Sequence, residues 1–307
     1  VGDVANPEHG WARYPIGVWR EFAARTGHAD GVDLVFGGDV PMASGLSSSA
    51  AIEVATVTAL QQLHGVELSG EQVAAIAHAA ETDYVGLQCG IMDQFASALG
   101  EAGHAVLLHC HDRTFEHVPM DPDAFEVLVV DTKKPRNLSQ TEFNTRVAEC
   151  AAAFEVLRAK LGPLPYLAAF PEDRLPEARE VLDEVSWRRV YHVVTEMGRV
   201  AGAVESLRSG DIARLGALIS ASHESTRTHY EVSCDELDTV TQAACEHERT
   251  FGARLTGAGF GGCAFALVEP DATGEVEDIV RARYRERFGV EPGFLRLRPG
   301  SGPRRLR

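Results

Sequence analysis

The 307-residue chain has no apolar run long enough to cross a bilayer, which argues against a membrane protein of the helical kind. It is short of basic residues. Lys and Arg total 29 against 45 Asp and Glu, giving a net charge of −16. Such a surface repels nucleic acid and anionic membranes and excludes both as the main partner. It does not exclude a small anionic ligand, because a glycine-rich loop and one metal ion can reverse the field locally. No CxxC pair occurs among Cys89, Cys110, Cys150, Cys234, Cys245 and Cys263. That spread reads as reduced thiols of a cytosolic enzyme, not a disulfide framework or zinc site. Internal repeats and low-complexity tracts are missing too, and Val1 is preceded by neither Met nor a charged-then-apolar leader.

What is present is an alternation of two textures, and a length that suits two domains. Apolar positions recur at helical spacing over Trp11–Arg25, Ser48–His64 and Gln72–Glu81. Val32–Phe36, His104–Cys110, Thr114–Val118 and Phe125–Asp131 read as strands. From Thr141 the pattern turns helical over Phe143–Leu161, Arg188–Leu207, Ile212–Thr228 and Glu236–Glu248. Strands return at Gly262–Val268 and Phe294–Leu297, flanking a charged helix at Glu275–Phe288. This predicts an α+β protein with a helical waist, divided near residue 135. The proline-rich stretch 163–176 reads as a connection, and the five arginines of Arg296–Arg307 as a solvated terminus.

Three segments carry candidate chemistry. The first, Pro41-Met42-Ala43-Ser44-Gly45-Leu46-Ser47-Ser48-Ser49-Ala50, stands directly ahead of a helix. Small residues admit a ligand close to the backbone, and a helix start offers free N–H groups at a positive dipole end. No Lys follows the glycine, so this is not a Walker A loop, and a plain Ser N-cap would look the same. The second runs from Glu81 to Asp93-Gln94-Phe95 and sets two carboxylates among apolar neighbours. Each could be a base or a metal ligand, or else a surface helix residue and an N-cap. The third, Thr256-Gly257-Ala258-Gly259-Phe260-Gly261-Gly262-Cys263, is either a ligand loop or a hairpin turn.

Their order is more specific than any one of them. Pro-x-x-x-Gly-Leu-Ser-Ser-Ser-Ala, then Gly-Ile-Met-Asp-Gln-Phe, then Thr-Gly-Ala-Gly-Phe-Gly-Gly-Cys resembles the galactokinases of the GHMP kinase superfamily. Glu142–Arg146, Tyr191–Glu196, Ser222–Ser225 and Tyr230–Asp238 extend the resemblance from about Trp11 to the end. It implies a two-domain GHMP kinase fold: an α/β ATP-binding domain over 1–135 and a ferredoxin-like domain over 136–307, with the site in the cleft. It also implies transfer of the γ-phosphoryl of ATP to O1 of galactose. Ala43, Ser44, Gly45, Leu46, Ser47, Ser48 and Ser49 would wrap the phosphates. Ser49 and Glu81 would hold Mg2+, Asp93 would be the catalytic residue against the anomeric hydroxyl, and Gly257, Gly259, Gly261 and Gly262 would support the phosphate side. The expected setting is a cytoplasmic monomer whose partners are ATP and a sugar.

Three departures accompany the resemblance. The family's opening signature, Gly-Glu-His-x-Asp, supplies most sugar contacts and an arginine that pairs with the aspartate, and no such segment precedes Trp11. A first domain without its start is therefore expected. Phe143 stands where the family has a sugar-contacting tyrosine, at a loss of about 0.5–1.5 kcal/mol for one neutral hydrogen bond. Ala43 replaces a glycine of the serine loop. Phe143 keeps a 1-kinase for arabinose, galacturonate or N-acetylgalactosamine in view, and a silent sugar sensor or truncated remnant is the reading of another class. Outside these motifs, His109-Cys110-His111-Asp112 reads as alternating strand positions that do not converge on a metal. His223 and Arg227 read as a surface pair on one helix face, and Asp131–Arg136 as a solvated loop.

Overall fold

The structure is a computed structural model that describes residues 6–41, 45–87, 89–135 and 140–305. The chain divides into two units: Val1–Met42, Leu46–Met120 and Arg298–Arg307 in one, Ala43–Gly45 and Asp121–Leu297 in the other. Ala43 and Ser44, two of the expected phosphate-loop residues, lie outside the described residues.

The first unit is a helical layer with a hairpin. A 3-10 turn, Pro7–Ala12, opens with Asn6 accepting from the Glu8 N–H and leads into α1 (Arg13–Thr26). Helix α2 (Ser48–His64) ends on left-handed Gly65. Helix α3 (Gly70–Ala79) starts at a reciprocal Ser69–Gln72 capping box and runs on into π-helical turns over Ala80–Val85. Helix α4 (Met92–Leu99) and the antiparallel pair β1 (His104–His109) and β2 (Thr114–Pro119) complete it. Apolar residues three and four apart make the core: Val18 and Phe22 of α1, Val54, Val57 and Leu60 of α2, Val73 and Ile76 of α3. Each such side chain contributes roughly 1.5–3 kcal/mol on burial. Gly17 sets how closely α1 lies on the π-helical turns, since a Cβ there would stand 2.9 Å from the Tyr84 ring. A smaller cluster of Ala74, Ile91 and Phe95, with Leu108 and Phe115, ties α4 to α3 and the hairpin.

The strand expected at Val32–Phe36 is irregular in the structure. A strand needs a pairing partner, and among the described residues none runs beside it; Val35 is fully exposed.

The second unit contains β3 (Glu126–Asp131), α5 (Gln140–Leu161), α6 (Leu175–Val181), α7 (Glu184–Ser209), α8 (Ile212–Ser225) and α9 (Asp235–Cys245). It continues with β4 (Thr250–Leu255), β5 (Cys263–Val268), α10 (Thr273–Phe288) and β6 (Gly293–Leu297). Its sheet is antiparallel, in the order β4-β5-β3-β6. Taking α9 and α10 as the two crossovers, the chain runs β-α-β-β-α-β, the ferredoxin-like arrangement, with α5 to α8 inserted after β3. Leu128 and Val130, Ala253 and Leu255, Ala264 and Ala266 face α9 and α10 through Leu237, Val240, Val276, Val280 and Tyr284. The inserted helices have a core of their own around Leu157, Phe170, Leu175, Val190 and Val194, which takes in part of the 163–176 connection. No helix among the described residues is long and apolar enough to cross a membrane.

Candidate active site

The first unit gathers three of the expected site residues. Ser49 sits in the first turn of α2, Glu81 on the π-helical turns after α3, and Asp93 in the first turn of α4. A π-helical insertion offsets the side chains that follow it and is frequent at functional sites. Glu81 is buried and accepts from the Ser49 hydroxyl, the Cys89 thiol and the Gln94 amide, the last at 2.5 Å. The same Gln94 Nε2 donates to Glu53 Oε2 at 3.1 Å, so one amide joins two carboxyl groups.

The electrostatics are those of crowded acid, with no cation among the influences on Glu53 from the described residues. Burial, then the neighbouring Glu81, pushes the Glu53 carboxyl up to about 9. Burial raises Glu81 as well, against the hydrogen bonds it accepts, and the Asp93 charge adds to the rise of both. Cys89 is pushed up to about 12, by burial first and then by Glu81, so it is a neutral donor. The Tyr14 hydroxyl of α1 is raised by burial and the same two glutamates. Two buried acceptors, Glu53 Oε1 and Gln94 Oε1, have no hydrogen-bond partner among the described residues.

The serine loop enters α2 in an unusual way. Gly45 and Ser47 are both left-handed, with φ of 84° and 56°. Ser47 occupies the N-cap position, yet its side chain makes no cap hydrogen bond. The ordinary Ser N-cap is thus not what the run provides; the first amides of α2 carry no side-chain cap from it. Beside α1 lies an apolar cleft of about 470 Å³ lined by Trp11, Pro15, Ile16, Trp19, Leu34 and Phe36.

The glycine loop belongs to the second unit. Gly257, Gly259, Gly261 and Gly262 all have positive φ, as does Phe260. The Phe260 N–H donates to the Val232 carbonyl at 2.7 Å and the Gly262 N–H to the Lys134 carbonyl at 3.2 Å. Thr132 Oγ1 donates to the Gly262 carbonyl at 2.6 Å. A Cβ on Gly259 would fall 2.1 Å from the Val232 oxygen, so glycine is required there. Phe143, half-buried on the first turn of α5, belongs to this unit as well. Lys134, from the run expected to be solvated, pairs with Glu236 at 2.7 Å.

One expectation needs correction here. His223 is not a surface group: it is 7% exposed, because α8 packs its face on β4. Its Nδ1 accepts from the Leu255 N–H, and its Nε2 faces Thr241 Oγ1 at 2.9 Å and Asp238 at 3.3 Å. Sequence reasoning also passed over Glu53 and Gln94. The signal for Glu53 was there, since it lies four residues after Ser49 on α2 and so shares its face.

With this geometry in view, the sequence matches the GHMP kinases N terminal domain over residues 13–101 and the GHMP kinases C terminal domain over 203–286. The Leishmania mevalonate kinase structure, 21% identical with a TM-score of 0.62, shares the fold. The class is that of the GHMP kinases. Within it, the chain is 39% identical over 299 residues to a galactokinase of Chloroflexus aggregans, covering 97% of this chain and 76% of that protein. It is 37% identical over 294 residues to the Fusobacterium nucleatum galactokinase, covering 95% of this chain and 76% of the relative. The structure of the Lactococcus lactis galactokinase complexed with galactose superposes with a TM-score of 0.88 at 32% identity, over 96% of this chain and 76% of that one. The chain belongs to the galactokinase family. It is a kinase, and kinases draw the phosphoryl group from ATP.

Proposed function

We propose that this chain transfers the γ-phosphoryl of ATP to the anomeric hydroxyl of galactose, with Asp93 as the base. The observation that carries the reading is the meeting of half-buried Ser49 and Asp93 with buried Glu81 in one acidic cluster, beside a helix start that the Ser47 side chain does not cap. Asp93 would take the proton of the sugar hydroxyl as its oxygen attacks phosphorus, an effect typically worth ~10²–10⁴-fold. The amides at the start of α2 and the hydroxyls of Ser47 and Ser48 would hold phosphate oxygens and orient the transferring group. The glycine loop, Gly257 to Gly262, whose four glycines all have positive φ, suits close backbone approach to a ligand. The apolar cleft at Trp11 and Trp19 offers a flat surface to the nucleotide base.

The donor set suits Mg2+. Among the described residues no group of three His, Cys, Asp or Glu could hold a metal by itself. Mg2+ does not require one, because it takes one or two protein oxygens and completes its shell with phosphates and water. Ser49 and Glu81 are such oxygens, in a cluster whose glutamates are raised first by burial and then by neighbouring carboxylates. Bound there, the ion would neutralise charge on the transferring phosphoryl group. The reading takes the enzyme to be a cytoplasmic monomer, where ATP and free sugar meet.

The test is ADP release from the full-length protein with MgATP and a panel of galactose, arabinose, galacturonate and N-acetylgalactosamine. Galactose is expected to turn over best. Asp93→Asn is expected to lower kcat by at least ~10²-fold while ATP binding persists. Turnover of that variant within a few-fold of wild type would remove Asp93 from the role.

A further inference from the structure

We propose that Glu53 is a positioning residue for the transfer: through the Gln94 amide it fixes the Glu81 carboxylate in the orientation presented to the metal–nucleotide. The proposal rests on the reading of Glu81 as a metal ligand.

Glu53 and Gln94 are both fully buried. The Gln94 amide has its Nε2 between Glu81 Oε2 at 2.5 Å and Glu53 Oε2 at 3.1 Å. A primary amide has two N–H donors on one nitrogen, and here both are spoken for by carboxyl oxygens of different elements. Held between the two carboxyl oxygens, the amide plane is fixed, and with it the direction of the hydrogen bond into Glu81. Without Glu53 the Gln94 side chain loses one of its two anchors and can turn about its last torsion, which is broad.

The environment of Glu53 makes little sense in terms of stability. Its strongest influences are burial, other carboxylates and an amide, and no cation is among them. A buried acid without a charge partner is destabilising, and an apolar side chain of similar volume would fill the place at less cost. What an apolar side chain cannot do is hold the amide. The two orphaned acceptors point the same way: among the described residues, Glu53 Oε1 and Gln94 Oε1 each lack a donor. A proton on the Glu53 carboxyl supplies one, so that acid and amide can pair in both directions, O–H to O and N–H to O. Glu53 also lies one helical turn beyond Ser49 on α2. The frame that holds Glu81 is thus continuous with the helix that carries the other proposed ligand.

The experiment is calorimetric titration of ADP into the full-length protein, once with EDTA and once with saturating Mn2+. The ratio of the two dissociation constants is the factor by which metal tightens nucleotide binding. Glu53→Leu is expected to cut that factor about tenfold while the metal-free ADP constant stays within about threefold of wild type. Glu53→Gln, which can still pair with the amide, is expected to restore the factor to within about threefold. A wild-type factor in Glu53→Leu, or equal weakening with and without Mn2+, would overturn the proposal, the second outcome marking a merely structural role. If Glu53→Leu does not fold, Gln94→Leu carries the test from the other side with the same expected loss. Glu81→Gln separates the two levels. An unchanged factor there refutes Glu81 as the ligand, whereas loss there beside an intact Glu53→Leu refutes only the positioning role.

Discussion

The acidic cluster makes a quantitative prediction about stability and pH. Glu53 carries an ordinary value of 4.5 when unfolded and about 9 in the native protein. Between those values the native state holds a proton that the unfolded chain has released. The stabilisation is therefore complete below about pH 4.5 and is lost as pH rises through about 9. One proton is worth about 1.4 kcal/mol per pH unit, so raising the pH from about 6 to about 8 removes at most about 3 kcal/mol. Entry of water around the ionised acid reduces this to roughly 1–2 kcal/mol. Glu81, raised in the same direction by burial and then by the Asp93 charge, adds to the trend. Cys89 titrates above the window. The assay is urea unfolding in EDTA without nucleotide, in a Trp187→Phe background, so that Trp11 and Trp19 report on the first unit alone. The wild-type midpoint is expected to fall by about 0.5–1 M between the two pH values, and Glu53→Gln to fall by much less. Parallel pH profiles for the two proteins would refute the reasoning.

Other consequences follow from single contacts. Phe143→Tyr, which restores the family's usual hydroxyl, is expected to lower the KM for galactose by roughly 2–10-fold with kcat little changed, as one neutral hydrogen bond allows; an unchanged KM would place residue 143 away from the sugar. Gly259→Ala puts a Cβ on a residue with φ of 83° and 2.1 Å from the Val232 oxygen. It is expected to destabilise the second unit by more than about 1 kcal/mol, read as a lower Tm through Trp187 fluorescence. Arg189 is 2% exposed and bonds Glu149, Glu231 and the His229 carbonyl at 2.6–2.8 Å. Arg189→Met leaves Glu149 to Arg146 and Glu231 to Arg188 and strands only the His229 carbonyl, so it is expected to cost about 1–3 kcal/mol in denaturant unfolding.

Most of the helices were legible because their cores follow the 3.6-residue period: α2 begins and ends where its apolar spacing and its glycine stop predict. The strands of the second unit were legible as runs but not as a sheet. β3 pairs with β5 and β6, more than a hundred residues downstream, and nothing in the texture near residue 131 announces those partners. The same limit explains Val32–Phe36, whose composition suits a strand while its surroundings among the described residues offer no edge. His223 was misread for a related reason, since spacing on a helix says which residues share a face but not which face is covered.

The site shows a different division between what sequence carries and what only packing supplies. Motifs name the groups that meet a substrate, because those groups need particular chemistry at particular spacing. They are silent about a group such as Glu53, which on a helix rich in Ala and Val reads as an ordinary helix former. Its role depends on being buried, and burial depends on α2, the turns at Glu81 and α4 converging on one amide. That convergence gathers negative charge in a place that a stable apolar core would have avoided. An acidic cluster in which burial and neighbouring carboxylates raise both Glu53 and Glu81 is under electrostatic load until a cation arrives. Binding of a metal–nucleotide relieves the load, and so part of the binding energy is stored in the fold before the ligand enters. The cluster should therefore gain more stability from Mn2+ with ADP at about pH 8 than at about pH 6, since the acids it must neutralise are more fully ionised there.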